Sequence, residues 1–491
     1  MRLGDILVAH GLVSKEDIAD AMDQQRLQGG RLGDILVAAG RLTSAQLDAV
    51  MDEAPSIPNT IEDTGLSLPD LLNLALKAMY AANAETPSAV ADILKVPMRI
   101  VQQLFESAKE RKLLEVLGAA GLRVNAELRF ALTEKGKQWA AEALNQNQYV
   151  GPAPVPLADF IERIERQRIT NERVDREAIV AAFADLIVPD PFISQIGPAI
   201  NSGQSILLYG PPGNGKTSFA ERIGRVFRSV VYVPYCFEVE GQIIKVFDPG
   251  IHEPIHKNTE SGGGRTLALR REDFDRRWVA CKRPFIVAGG ELTLEMLDLS
   301  FNQLAKFYEA PLHVKALGGI FMIDDFGRQI VSPEALLNRW IVPLERRVDY
   351  LKLHTGKSFS LPFDELVIFS TNLTPKKLMD PAFLRRIPYK LEIPGPSGDD
   401  FRQIFNGISK ARGLETSDQV VTAVMTAIQQ LDGTALASYQ PKFIVDQVLA
   451  ACKFENIPPR FRPDLIAMAL GNLSTENSAA ASAEQGRTPA N

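Results

Sequence analysis

Residues 210–217 read Gly-Pro-Pro-Gly-Asn-Gly-Lys-Thr, and no other stretch restricts the possible folds of this chain as far. The apolar run Ser205-Ile206-Leu207-Leu208-Tyr209 before it predicts a buried strand, and Ser218 to Phe227 after it can continue as a helix. A strand, a glycine-rich turn ending in Lys-Thr and a helix form the Walker A arrangement, which implies an α/β core. Gly210, Gly213 and Gly215 permit a turn whose N–H groups face an anion, and the positive end of the helix adds to that field. Pro211, Pro212, Asn214 and Ser218 complete the loop; Lys216 would reach the β- and γ-phosphates and the Thr217 hydroxyl would ligate Mg²⁺.

Downstream, Gly319-Ile320-Phe321-Met322-Ile323-Asp324-Asp325 is an apolar strand ending in two acids, a Walker B pattern in which Asp324 would hold Mg²⁺ and Asp325 would orient or deprotonate water. Glu365 to Thr371 predicts another buried strand, ending at the polar amide of Asn372. A helix follows, with Thr374 as N-cap and Pro375 in its first turn. It closes with Arg385-Arg386, before a last strand at Tyr389 to Ile393. In this order the motifs resemble the AAA+ ATPases, over roughly residues 160 to 473. The resemblance implies ATP as ligand and a ring of identical subunits. It makes Asn372 the sensor 1 residue and Arg386, with Arg385 beside it, an arginine finger reaching a neighbouring subunit's site. Lys442 would stand at the sensor 2 position of the lid. This chain departs from the family where Asp325 replaces the usual glutamate, one methylene shorter, and where Lys442 replaces an arginine.

The N-terminus carries a tandem repeat: Arg2-Leu3-Gly4-Asp5-Ile6-Leu7-Val8-Ala9 recurs as Arg31-Leu32-Gly33-Asp34-Ile35-Leu36-Val37-Ala38, and Gly11 is matched by Gly40. Each copy predicts a short helix, a glycine break and a capped helix, with Ser14 leading one and Thr43 with Gln46 boxing the other. Such repeats resemble the N-terminal domain of type II secretion and type IV pilus assembly ATPases, a module that in many members binds cyclic di-GMP. The resemblance implies Arg2 and Arg31 against guanine or phosphate, Gly4, Gly11, Gly33 and Gly40 at close backbone approaches, and Leu7, Leu12 and Leu36 in apolar contact with the ligand. The residues equally allow a helical docking module, because glycine breaks serve helix packing as well as ligand approach.

Between the repeat and the ATPase core, residues 69–145 predict a winged-helix-like α+β domain. Its helices fall at Leu71 to Ala81, Pro87 to Leu94 and Pro97 to Lys112; its wing at Leu113 to Val116 and Glu127 to Leu132; its last helix after Thr133. On the candidate recognition helix Arg99, Lys109, Arg111 and Lys112 face Glu106 and Glu110, a thin surplus for phosphate, so protein contact is favoured over nucleic acid.

The resulting organisation is multidomain: a small α repeat domain (1–54), the winged-helix-like domain (69–145), an α/β P-loop AAA+ core (157–395) with an insertion at about 237–316, a helical lid (396–473) and a tail (474–491) predicted to be disordered. Asp52 to Pro69 and Asn145 to Pro156 are expected to be linkers. Within the insertion His252-Glu253-Pro254-Ile255-His256 satisfies the HExxH zinc-protease letters. Pro254 inside the required helix and the turn-forming Asp248-Pro249-Gly250 before it predict a loop instead.

A net charge of −6 argues against a chain devoted to nucleic acid, and three dispersed cysteines suit a reducing cytosol. With no run apolar and long enough to span a bilayer, these features predict a cytoplasmic regulator of bacterial type whose partner is a protein client or an assembly of the secretion or pilus kind. The functional expectation is Mg²⁺-dependent ATP hydrolysis by a ring oligomer that remodels a protein, gated at the N-terminus by cyclic di-GMP. A scaffold that binds nucleotide with little turnover and a DNA-associated regulator are the alternatives.

Overall fold

Five parallel strands form the centre of the molecule, and their order gathers Lys216, Thr217, Asp324, Asp325 and Asn372 at the C-terminal ends of the strands, whereas Arg385 and Arg386 lie at the opposite end, before the last strand. The computed structural model describes residues 4–473 except 5–6, 9–10, 29–31, 44–45, 48–53, 120–126, 189, 256–273, 379–383 and 432–434. The strands are β1 (Ile206–Tyr209), β2 (Phe285–Ala288), β3 (Ile320–Ile323), β4 (Leu366–Thr371) and β5 (Tyr389–Glu392), hydrogen-bonded in the order β5-β1-β4-β3-β2. The near-continuous apolar sequences of β1, β3 and β4 follow from burial on both faces, as central parallel strands require. Ile206, Leu208, Ile320, Met322 and Ile368 pack one way, against Ile196, Phe219 and Ile223. Leu207, Phe321, Ile323, Val367 and Phe369 pack the other way, against Leu336, Leu337 and Trp340. The two-residue alternation along each strand thus builds two helix-covered layers.

One expected boundary is corrected. Phe285–Ala288 lies within the stretch read as an insertion, yet it is β2, an edge strand of the core sheet, paired in register with β3. The added material lies before and after it. Val230–Pro234 pairs antiparallel with Trp278–Lys282, and a second five-stranded sheet runs Ser300–Asn302, Phe307–Glu309, Gln242–Lys245, Cys236–Val239, Val155–Pro156. The glycine-rich tip Ser261 to Arg265 lies outside the described residues.

Residues 68–146 hold three helices, Leu68–Ala82, Pro87–Leu94 and Met98–Glu110, then the antiparallel pair Leu114–Ala119 and Leu128–Leu132, then the helix Glu134–Gln146. Ser67, Thr86 and Thr133 cap three of these helices through side-chain acceptors. The core of this unit is shared with the added sheet, since Cys236 and Ile243 lie in the same apolar cluster as Leu71, Leu104 and Phe130. The segments expected to be linkers are therefore packed. Ala153 and Val155 are buried, Ala153 N–H donates to Leu94 O, and Gly65 sits so close to Pro156 that a Cβ would overlap its ring. The Arg277–Asp275 ion pair, almost without solvent contact, fastens both segments: Arg277 donates to Thr64 O at 2.7 Å and to Pro154 O at 3.2 Å.

The repeat is visible in its hydrogen bonds. Gly11 N–H donates to Val8 O and Gly40 N–H to Val37 O, both at 3.0 Å, and each glycine has a left-handed backbone. Capping boxes follow, Ser14 with Asp17 and Thr43 with Gln46, and Arg41 of the second copy pairs with Asp17 of the first at 3.1 Å. Four helices, Gly398–Ala411, Asp418–Gln430, Gln440–Phe454 and Pro463–Leu473, occupy the span expected to be the lid and pack around Phe401, Val424, Ile444 and Val448. Among the described residues no helix is long and apolar enough to cross a membrane.

Candidate nucleotide site

The loop after β1 takes the backbone its glycines predict. Gly210, Gly213 and Gly215 have φ of 146°, 76° and 78°. Gly210 also lies against β5, where a Cβ would stand 2.2 Å from Ile393 O. Pro211 and Pro212 are exposed, Ser218 is half-buried, and the helix Lys216–Val226 starts at the loop's end. Lys216 is buried and its Nζ donates to Gly210 O and Pro211 O, each at 3.0 Å, and to Asn372 Oδ1 at 2.6 Å. Burial holds its ammonium below the usual lysine range, against the opposing pull of Asp325 and Asp324.

Parallel strands deliver the partners. Thr217 Oγ1 donates to Asp324 Oδ2 at 2.7 Å, which brings the two expected metal ligands together. Asn372, beyond the end of β4, turns its Nδ2 to Asp325 Oδ1 at 3.1 Å while its Oδ1 accepts from Lys216. Asp325 has φ of 49°, a left-handed backbone that costs a residue with a Cβ about 1 kcal/mol or more. The turn behind it is held by Gln329, whose Nε2 donates to Asp324 O at 2.7 Å and whose Oε1 accepts from Gly327 N–H. Gln329 has no signal in the sequence, since a lone glutamine after a pair of acids carries no pattern.

The remaining expected residues divide. Arg386 is engaged by Glu345, Nε to Oε1 at 2.6 Å, and its carbonyl accepts from Ser205, whereas Arg385 is exposed. Lys442 is exposed and pairs with Asp446 on its own helix at 3.0 Å. The lid meets the loop elsewhere: Tyr439 N–H donates to Gly213 O at 3.0 Å and Ser438 N–H to Asn214 Oδ1 at 3.1 Å.

In the N-terminal repeat Arg2 and Arg31 lie outside the described residues. Leu7 and Leu36 are completely buried, so their expected contact with a ligand is corrected to core packing. A Cβ on Gly4 would lie 2.9 Å from Ile18 Cγ2, Gly33 is buried and Leu12 half-buried; Gly11 and Gly40 close helices with open space around them. His252 is buried and not helical. Its Nδ1 accepts from Asp248 N–H at 2.9 Å, its Nε2 faces Lys315 O at 2.9 Å, and Pro254 bridges Cys281 in an extended strand; His256 lies outside the described residues.

Strand order, glycine loop, paired acids and terminal amide give a parallel α/β core consistent with a P-loop AAA+ domain. The sequence agrees: 194 residues are 30% identical to the vesicle-fusing ATPase of Caenorhabditis elegans and 197 residues are 30% identical to the vesicular-fusion protein sec18 of Schizosaccharomyces pombe, in each case 36% of this chain. The matches span only 22% and 23% of those relatives. Residues 397–472 match the model of a domain of unknown function, DUF8689. Among solved structures, a RuvB mutant of Thermotoga maritima is 14% identical with a TM-score of 0.31, over 62% of this chain and 73% of that one. NtrX of Brucella abortus is also 14% identical, with a TM-score of 0.37 over 71% and 70%.

Proposed function

We propose that this protein binds ATP with Mg²⁺ and hydrolyses it, as an oligomer that acts on a protein partner. The observation that carries this reading is the convergence of Lys216, Thr217, Asp324, Asp325 and Asn372, from the ends of three adjacent parallel strands, within hydrogen-bond reach of one another. Thr217 and Asp324 fit a magnesium ion, since a hydroxyl and a carboxylate already share a position where a hard cation takes oxygen ligands. The ion bound to the triphosphate supplies neutralisation of phosphate charge. Lys216 binds the phosphates, Asn372 orients the attacking water, and Asp325 Oδ accepts its proton.

Arg385 is the better finger for a neighbouring subunit, because it is exposed while Arg386 is held by Glu345. The winged-helix-like unit serves protein contact. On its third helix Arg99 and Lys109 are matched by Glu106 and Glu110, with Lys109 paired to Glu106, which leaves no net positive charge within that helix for DNA. The repeat domain is read as a docking element, supported by the burial of Leu7, Leu36 and Gly33. Calorimetry of the full chain with cyclic di-GMP tests the alternative; saturable heat reinstates gating by that ligand. Steady-state phosphate release by wild type, Lys216→Ala and Asp324→Asn tests the central reading, which fails if wild type turns over no faster than Lys216→Ala.

A further inference from the structure

We propose that Asn214 is a positioning residue that couples the lid to the phosphate loop, so that lid closure and triphosphate affinity rise and fall together. The inference rests on the nucleotide reading above and adds a residue to it. Asn214 is 3% exposed, and its Oδ1 accepts from Ser438 N–H. Its orientation is fixed by that bond, since a flipped amide would oppose two donors. Its Nδ2 has no partner among the described residues, a cost that a purely structural loop asparagine has no reason to carry.

The neighbouring peptide gives the coupling its route. In the trans peptide joining Gly213 to Asn214, the carbonyl and the N–H point opposite ways. The carbonyl accepts from Tyr439 N–H, so the Asn214 N–H faces away from the lid, and the amides of such a loop are the groups that meet phosphate. Accepting a bond on one side strengthens donation on the other. The lid side of the contact is rigidly built. Gln440 is fully buried, with Oε1 accepting from Ala437 N–H and Nε2 donating to Ala435 O, and a Cβ on Gly395 would stand 2.6 Å from Leu436 O. Tyr439 lies directly over Gly213, where a Cβ would come within 2.3 Å of its ring. Any effector bound through this peptide changes the lid's affinity for the loop by the factor by which the lid changes its own.

The test uses the full chain, a fluorescent ATP analogue and amide hydrogen exchange at residues 435–445 with and without ATP and Mg²⁺. In wild type, ATP slows exchange in this segment. In Asn214→Leu, which keeps the shape and removes the acceptor, ATP affinity falls about tenfold, the worth of one buried hydrogen bond, and the ATP-dependent slowing disappears. Should Asn214→Leu fold poorly, Tyr439→Ala and Tyr439→Pro replace it. Both lose the ring, but only proline loses the N–H, at a φ of −78° that proline already favours. The proline variant is expected to bind ATP about tenfold more weakly than the alanine variant. Binding by wild type with Asn214→Leu unchanged, or with the two Tyr439 variants equal, overturns the coupling alone. No binding by wild type overturns both it and the nucleotide reading.

Discussion

The phosphate loop and the segment around His252 treat their polar groups in opposite ways. Between Gly210 and Thr217 the backbone bends through three left-handed glycines and gathers polar side chains from three strand ends around Lys216. Around His252 the imidazole is turned inward, stacked 5.6 Å from Phe247, with both nitrogens facing backbone groups. Each stretch matches a functional pattern in its letters. A pattern names side chains, but chemistry needs the element that carries them, and a strand-to-helix turn exists at 210–217 whereas no helix exists at 252–255.

Substitutions can break this contrast, and the largest effect belongs to Lys216→Ala. It is expected to lower phosphate release at least a thousandfold while leaving the melting temperature nearly unchanged, as for loss of a group that acts on transition-state charge. Arg385→Ala comes next: about a thousandfold lower turnover with ATP affinity retained, measured by steady-state kinetics beside equilibrium binding. Arg386→Ala should instead cost stability of about 1 kcal/mol through the lost bond to Glu345, seen in denaturant midpoints; equal kinetic loss in both arginine variants would reverse the assignment.

His252→Ala should leave turnover intact, show no response to zinc, and destabilise the fold by about 2–3 kcal/mol through a cavity and orphaned backbone groups. Its pH dependence has a definite sign. Burial lowers the His252 pKa below the ordinary 6.5, so the unfolded chain binds the proton more readily. The neutral ring's advantage is present above pH 6.5 and is lost as pH falls towards the folded value. The smallest effect concerns Lys77, buried in the unit of residues 68–146 with its Nζ on Asn147 Oδ1 at 2.7 Å and its pKa pushed down to about 8 by burial. Between that value and 10.5 the unfolded chain holds a proton that the folded one has released, so stability rises with pH across the window. Lys77→Met should flatten that rise in urea titrations at pH 8 and pH 10.

Legibility in the sequence followed the range of the interactions. β1, β3 and β4 were marked by apolar runs ending at chemistry-bearing residues, β5 by its place after Arg385-Arg386, and helix caps such as Thr133 and Ser14 by local spacing. β2 escaped because Phe285–Ala288 is a short apolar run on a sheet edge, with Val287 exposed, and no functional residue at its end. The opposite fates of Arg385 and Arg386 were illegible because they turn on Glu345, distant in sequence. The packing of residues 55–66 and 145–156 was hidden for the same reason: proline and polar residues read as linker, while the side chain that holds them is Arg277.

That guanidinium changes how the N-terminal third can influence the parallel sheet. A domain on a slack string acts by raising local concentration, and its orientation carries no information. Here one buried cation clasps both incoming strands of chain to material that continues directly into β2, beside the Walker B strand. Whatever pulls on the unit of residues 68–146 is thus applied to a stiff lever, with direction and torque preserved, on the sheet whose strand ends gather Thr217, Asp324 and Asn372.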